Sequence, residues 1–192
     1  MPGVKAKIYP FKVHKSQKTR KNDMIKILFI CHGNICRSPM AETVFRNLLQ
    51  RKGILKRYDV ASAATSTEEI PDGVGNPVYP PAQRELEKHG LSAAGKRAVL
   101  LKPEDYENYD LLIGMDERNM AGMRRITGHD KKEKMHKLLE YAGLSRDVAD
   151  PWYTGRFDLA YADIELGCRA LLEYLEKGNG ERRANCSEPP CI

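Results

Sequence analysis

Apolar residues in this chain gather into short runs separated by longer polar stretches of helical period. The run Ile25-Lys-Ile-Leu-Phe-Ile30 has the length of a strand and breaks off at Cys31-His-Gly-Asn-Ile-Cys-Arg-Ser38. Tyr58-Asp-Val-Ala-Ser62 predicts a short second strand. Asp110-Leu-Leu-Ile-Gly-Met115 predicts a third, with the unbroken apolar character of a strand covered on both faces. Residues 137–142, Lys-Leu-Leu-Glu-Tyr-Ala, predict a fourth, although their length equally suits a helical turn. Helical patterns follow Ser38-Pro39, with Ser38 as N-cap and Pro39 in the first turn, and end at Gly53. Further helices are predicted over 81–89, closed by Gly90, and over 117–126, stopped near Gly128. The clearest long helix covers 157–176, where Leu159, Ile164, Ala170, Leu171, Tyr174 and Leu175 share one stripe. Residues 65–81, rich in Pro, Gly, Asn and Asp, predict a long surface loop.

Strands alternating with helices imply an α/β fold: a single domain with a four-stranded parallel sheet and helices on both faces. In such sheets ligands bind outside the carboxyl ends of the strands, where Cys31 and Asp116 fall. At 192 residues the chain suits one domain with a sizeable core. The expected division is a disordered basic extension over 1–23, a folded domain over 24–177 and a tail over 178–192. No run approaches the roughly 18 apolar residues of a membrane span, and none of signal-peptide type stands at the start, so a cytoplasmic location without membrane partners is expected. The net charge of +6 does not indicate a nucleic-acid partner. Residues 1–22 hold seven basic side chains and no acid, and the remaining 25 basic side chains face 26 acidic ones. The cysteines are odd in number, five, and lack metal-ligand spacing with histidine, which argues for reduced thiols, at least one of them reactive.

Cys31 and Arg37 stand six apart in a loop between a strand and a helix. Loop amides converging at a helix N-terminus make an anion site, and a guanidinium fork matches two oxygens of a transferring phosphoryl group. The thiolate is the nucleophile, and a helix N-terminus with a neighbouring cation favours it. Gly33 permits close backbone approach, and Asn34 tolerates the left-handed geometry that curls the loop. Transfer from an aromatic ester also needs an acid for the leaving phenolate. Asp150, followed by Pro151, Trp152 and Tyr153, is the best candidate, with two rings to wall a flat substrate. Asp116 is the second candidate, balanced against an N-cap role for the helix from Glu117. Residues 90–96 match most of a nucleotide-binding loop, but Arg97 stands where a hydroxyl must reach magnesium, and a helix precedes the loop where a strand should. His89 reads as structural or capping, His129 and His136 as solvated, Cys168 as core, and Cys186 with Cys191 as tail thiols around a Pro-Pro turn.

Residues 30–42, Ile-Cys-His-Gly-Asn-Ile-Cys-Arg-Ser-Pro-Met-Ala-Glu, with Asp150-Pro-Trp-Tyr153 far downstream, resemble the low-molecular-weight protein tyrosine phosphatases. Ser62-Ala-Ala-Thr65, Gly75-Asn-Pro-Val-Tyr-Pro-Pro81, His89-Gly90 and Met115-Asp116 add to the match. The resemblance implies a phosphatase acting on phosphotyrosine in proteins, without a metal cofactor and by default a monomer. It makes Cys31 the nucleophile, Arg37 the phosphoryl binder and Asp150 the acid and then the base. His32, Gly33, Asn34, Ile35, Cys36 and Ser38 would form the substrate-binding loop, with Trp152 and Tyr153 at its mouth. Ser38 would hydrogen-bond Cys31, and Asn34 would hold the loop through Ser38, Ser62 and His89. Cys36 matches a second loop cysteine that can pair with the nucleophile on oxidation and protect it. Trp152 departs from the more usual Tyr or Phe, and residues 68–75 look longer than in many relatives. Relatives that hydrolyse phosphoarginine carry Thr at the position of Ile35, so arginine phosphatase is the alternative substrate class. Arsenate reductase would need a further cysteine pair, absent between residues 38 and 167, and a non-catalytic phosphotyrosine-binding module would lack Cys31 or Asp150.

Overall fold

A computed structural model of the protein describes residues 24–184. Its centre is a sheet of four parallel strands in the order β2-β1-β3-β4. These are β1 (Ile25–Cys31), β2 (Tyr58–Ala64), β3 (Leu111–Gly114) and β4 (Met135–Lys137). The helices are α1 (Arg37–Arg51), α2 (Pro80–Lys88), α3 (Asp105–Asn108), α4 (Glu117–Thr127), α5 (Pro151–Thr154) and α6 (Phe157–Ala184).

Strand β1 shows why its run is apolar from Ile27 onward, after the exposed Lys26. Ile27, Phe29 and Cys31 belong to a core shared with Met40, Phe45 and Leu49 of α1, Leu86 of α2 and Ile164 and Leu171 of α6. Leu28 and Ile30 belong to a second core with Tyr106 of α3 and Met120 and Met123 of α4. Successive side chains therefore alternate between two buried faces. Phe29 meets Phe45 edge to face at 5.7 Å, and Phe45 meets Tyr58 at 6.2 Å. Each such fully buried side chain contributes about 1.5–3 kcal/mol.

Parallel pairing puts the ends of the central strands side by side. Cys31 is opposite Ala64 on β2, and Ile30 is opposite Gly114 on β3. The loops after β1 and β3 thus open at one edge of the sheet, as the strand–helix alternation implied.

Several elements differ from the sequence expectation. The fourth strand is Met135–Lys137, and the expected strand residues 138–142 form a 3-10 turn closed by Gly143 at φ 72°. Helix α1 begins at Arg37 after Cys36, so Ser38 lies inside its first turn and is not the N-cap. The 65–81 loop contains a 3-10 turn, Pro71–Gly73, and yields to α2 at Pro80. Gly75 anchors that loop: a Cβ there would sit 1.9 Å from the carbonyl oxygen of Ala98, so only glycine fits. His136 is not solvated; it is half-buried against Tyr141 at 5.7 Å, and burial lowers its pKa. Cys168 is core, as expected. Helix α6 continues to Ala184, past the boundary expected at residue 177. The expectations for residues 1–23, Cys186 and Cys191 lie outside the described residues. Among the described residues no helix is long and apolar enough to cross a membrane.

Candidate active site

The loop from Cys31 to Arg37 is wound tightly by its own backbone and by its neighbours. Asn34 takes φ 56°, the left-handed region that Asn tolerates better than most residues. Thr65 N–H donates to the carbonyls of Cys31 and His32 at 3.0 Å, and Tyr79 N–H donates to Ile35 O at 2.8 Å. The first turn of α1, whose N–H groups lack intrahelical partners, opens onto the same cavity as Cys31.

Cys31 Sγ lies 3.0 Å from Ser38 Oγ and accepts from Asn34 N–H at 3.3 Å. Asn34 Nδ2 donates to Ser38 Oγ at 2.8 Å and to Ser62 Oγ at 2.9 Å, while its Oδ1 accepts from Val99 N–H at 3.0 Å. Asn34 and Ser38, expected among the substrate-binding residues, are fully buried and brace the loop from behind the thiol. His89 does not join this network. Its ring stacks on Tyr161 at 3.6 Å and faces Glu85, and the main chain of Val99 supplies the contact expected from it.

Arg37 is buried and doubly tied. Nη1 donates to Asp116 at 2.7 Å and Nη2 to Asp150 at 2.8 Å. Burial works against its charge, yet the pull of Cys31, Asp116 and Asp150 outweighs it, so the guanidinium holds its proton more tightly than usual. Asp116 caps α4 by accepting from Asn119 N–H at 2.7 Å. The cap and the bond to Arg37 occupy both of its oxygens. Asp150 caps α5 through Trp152 N–H at 3.0 Å, which fixes its carboxylate at the cavity. Cys36 also reaches the cavity, but burial and then the nearby Cys31 and Asp150 push its thiol up, so it stays protonated. Cys31 and Cys36 are both free thiols.

The cavity has a volume of about 260 Å³. Cys31, His32, Gly33, Ile35 and Arg37 form its floor, with Trp152 and Tyr153 exposed at its mouth. Tyr79 backs Trp152 at 5.4 Å and continues to Phe157 at 6.1 Å. Sequence reasoning missed Glu68, Glu69 and Arg118, which complete the rim. His32 Nε2 meets Glu68 at 2.9 Å, and that hydrogen bond holds the Glu68 carboxyl below its ordinary range. Glu69 is held by Asn76 at 2.8 Å and crosses the loop so closely that a Cβ on Gly33 would stand 2.8 Å from its Cγ. The suspected length of residues 68–75 hinted at a changed rim, but only the fold shows these carboxylates beside the anion loop.

The site therefore combines a thiol in hydrogen-bond contact with Asn34 N–H and Ser38 Oγ, a cationic fork, a carboxylate at the mouth and an aromatic wall. That set can bind a tetrahedral oxyanion, attack it and protonate a leaving oxygen. Residues 26–181 match the family described as low molecular weight phosphotyrosine protein phosphatase. The chain is 37% identical over 156 residues to the low molecular weight protein-tyrosine-phosphatase YfkJ of Bacillus subtilis, covering 80% of this chain and 97% of the relative. The crystal structure of YfkJ superposes with a TM-score of 0.77 at 35% identity, over 83% of this chain and 99% of that one. The structure of a drosophila arginine phosphatase superposes with a TM-score of 0.70 at 26% identity, over 79% and 98%.

Proposed function

This chain belongs to the low molecular weight phosphotyrosine protein phosphatase family, and we propose that it hydrolyses phosphotyrosine in proteins through a cysteinyl-phosphate on Cys31. The observation that carries the reading is the convergence of Cys31, Arg37 and Asp150 on one cavity walled by Trp152 and Tyr153.

The phosphoryl group enters the loop and takes over the Arg37 Nη2 donor that meets Asp150 in this structure. Asp150, released from that contact and protonated, faces the ester oxygen. Cys31 Sγ attacks phosphorus, the bond to the phenolic oxygen breaks, and Asp150 passes its proton to the leaving group. The Asp150 carboxylate then takes a proton from a water that attacks the cysteinyl-phosphate. Inorganic phosphate leaves and the thiolate returns, accepting from Ser38 and from Asn34 N–H. Asp116 keeps its hold on Arg37 throughout and so orients the fork.

The substrate assignment rests on Ile35 and the rings. Ile35 is buried and contributes an apolar surface to the cavity, which suits a phenyl ring. The likeness to a drosophila arginine phosphatase favours phosphoarginine as the second reading. We assign the enzyme to the cytoplasm as a monomer acting on phosphoproteins, with Cys31, Cys36 and Cys168 as free thiols in support.

Para-nitrophenyl phosphate, a phosphotyrosine peptide and a phosphoarginine peptide, assayed with Cys31→Ser and Asp150→Ala, test the reading. Phosphotyrosine turnover abolished by Cys31→Ser and strongly slowed by Asp150→Ala is the expected result. Preference for phosphoarginine would overturn the role of Ile35, and no hydrolysis by reduced protein would overturn the activity.

A further inference from the structure

The hydrogen bonds around Cys31 do not end at Ser62. Ser62 Oγ donates to Glu42 Oε2 at 2.6 Å, and Lys96 Nζ meets the same oxygen at 2.9 Å. Glu42 stands on α1 one turn beyond Ser38, and Lys96 lies in the segment between α2 and β3 that resembles a nucleotide-binding loop in sequence. Both side chains are largely shielded, at 16% and 22% exposure, and they border a second, open cleft.

Each proton in this line has only one place to go. The Glu42 carboxylate can only accept, so the single Ser62 proton points at it. Ser62 Oγ is then left to accept from Asn34 Nδ2. The Asn34 amide cannot turn over, because Val99 N–H requires Oδ1 on the other side. Its second Nδ2 proton goes to Ser38 Oγ, which leaves the Ser38 proton for Cys31 Sγ. The line thus ends with a hydroxyl aimed at the sulfur, which favours the thiolate as nucleophile and as leaving group. A bare carboxylate behind the loop would oppose that thiolate. Lys96 cancels its charge.

We propose that Glu42 and Lys96 are positioning residues for the Cys31 thiolate, Glu42 by fixing the proton direction through Ser62 and Asn34, and Lys96 by neutralising Glu42. The proposal deepens the phosphatase reading and rests on it for its catalytic meaning. Other charged groups face the two ends of the line and are untouched by the test. Arg37 and Cys36 face the sulfur from its own loop, Asp116 and Asp150 share its cavity, and His32 is turned to Glu68. At the outer end Arg46 is held by Val60 O at 2.8 Å, and Tyr109 feels Glu42 electrostatically.

The test is the rate of Cys31 alkylation by iodoacetamide against pH, read by mass spectrometry on the Cys31 peptide, which needs no phosphatase turnover. Lys96→Met leaves Glu42 uncompensated and shifts the midpoint upward by about one pH unit, the coupling of charges roughly 10 Å apart at an effective dielectric near 20. Glu42→Gln, which keeps an oxygen to accept from Ser62, leaves Lys96 uncompensated and shifts the midpoint downward. The double variant returns close to wild type, and Lys96→Arg leaves the midpoint in place. Thermal unfolding of each variant establishes that it is folded; should Glu42→Gln not fold, Lys96→Met against Lys96→Arg decides alone. Shifts of one sign, no shift with Lys96→Met, or a double variant that adds the single effects would overturn the proposal. Intact alkylation shifts in a protein that hydrolyses no phosphoester would uphold the line and sink the phosphatase reading separately.

Discussion

Replacing Asn34 tests whether the anion loop is held from behind. Its side chain is fully buried and makes three hydrogen bonds, to Ser38, Ser62 and Val99 N–H, at 2.8–3.0 Å. Asn34→Gly removes all three while keeping access to φ 56°. At about 1 kcal/mol net for each bond, the loss is about 3 kcal/mol. Asn34→Ala loses the same bonds and also forces an L side chain without local polar contacts into the left-handed region, which adds about 0.5–1 kcal/mol. Urea unfolding of the three proteins should therefore rank wild type above Gly and Gly above Ala. Turnover of para-nitrophenyl phosphate should fall in both variants, because the Ser38 proton is no longer directed to the sulfur. Wild-type stability and turnover in Asn34→Ala would refute the reasoning, and Ala as stable as Gly would refute the backbone part of it.

Asp163 on α6 accepts from Arg146 at 2.6 and 2.7 Å and from Ala149 N–H at 3.0 Å, next to Asp150. Burial raises its pKa, but these hydrogen bonds outweigh burial and hold it below the ordinary carboxylate range. Asp163→Asn should cost about 1 kcal/mol, discounted for the exposed Arg146, and slow turnover by loosening the acid loop. The wild-type advantage in thermal melts should be complete above pH ~4 and vanish as pH falls through the lowered value; an advantage unchanged at pH 2 contradicts this. Gly167→Ala would place a Cβ 2.5 Å from Leu138 Cγ, so a loss of about 1–3 kcal/mol is expected by chemical unfolding, partly relieved by Leu138→Ala. Burial pushes the Cys36 and Cys168 thiols up, so iodoacetamide at neutral pH should label Cys31 ahead of both, as read by peptide mass spectrometry.

What was legible in the sequence was local. The 25–30 run announced a strand by its length, and β1 alternates between two cores. The Cys31–Arg37 spacing carried the anion loop because strand, loop and helix start are contiguous in the chain. Asp116 read as cap or acid from its place before Glu117, and it caps α4 while also holding Arg37. Ser38 misled because its hydroxyl suits an N-cap; in the fold it is taken by Cys31 and Asn34, and α1 starts one residue earlier. The fourth strand misled for a related reason. Leu138 and Leu139 are buried, but in a 3-10 turn against α6, while the true strand hides among charged residues. Lys134 beside it is buried because the carbonyls of Tyr106 and Tyr109 take its protons at 2.6 and 2.7 Å. Glu42, Glu69 and Lys96 were not legible, since their partners are distant in the chain and their side-chain types are ordinary for a surface. For His89 the family resemblance implied support of the loop, but its ring stacks on Tyr161 of α6.

The measurement that most directly tests the central claim is rapid acid quench of the enzyme during turnover of a phosphotyrosine peptide, with Asp150→Ala alongside and peptide mapping of the trapped protein. The account predicts one phosphoryl group on the peptide containing Cys31, formed at the rate of phenol release and absent in Cys31→Ser. Turnover without a phosphorylated Cys31, or a phosphoryl group on any other residue, would contradict it.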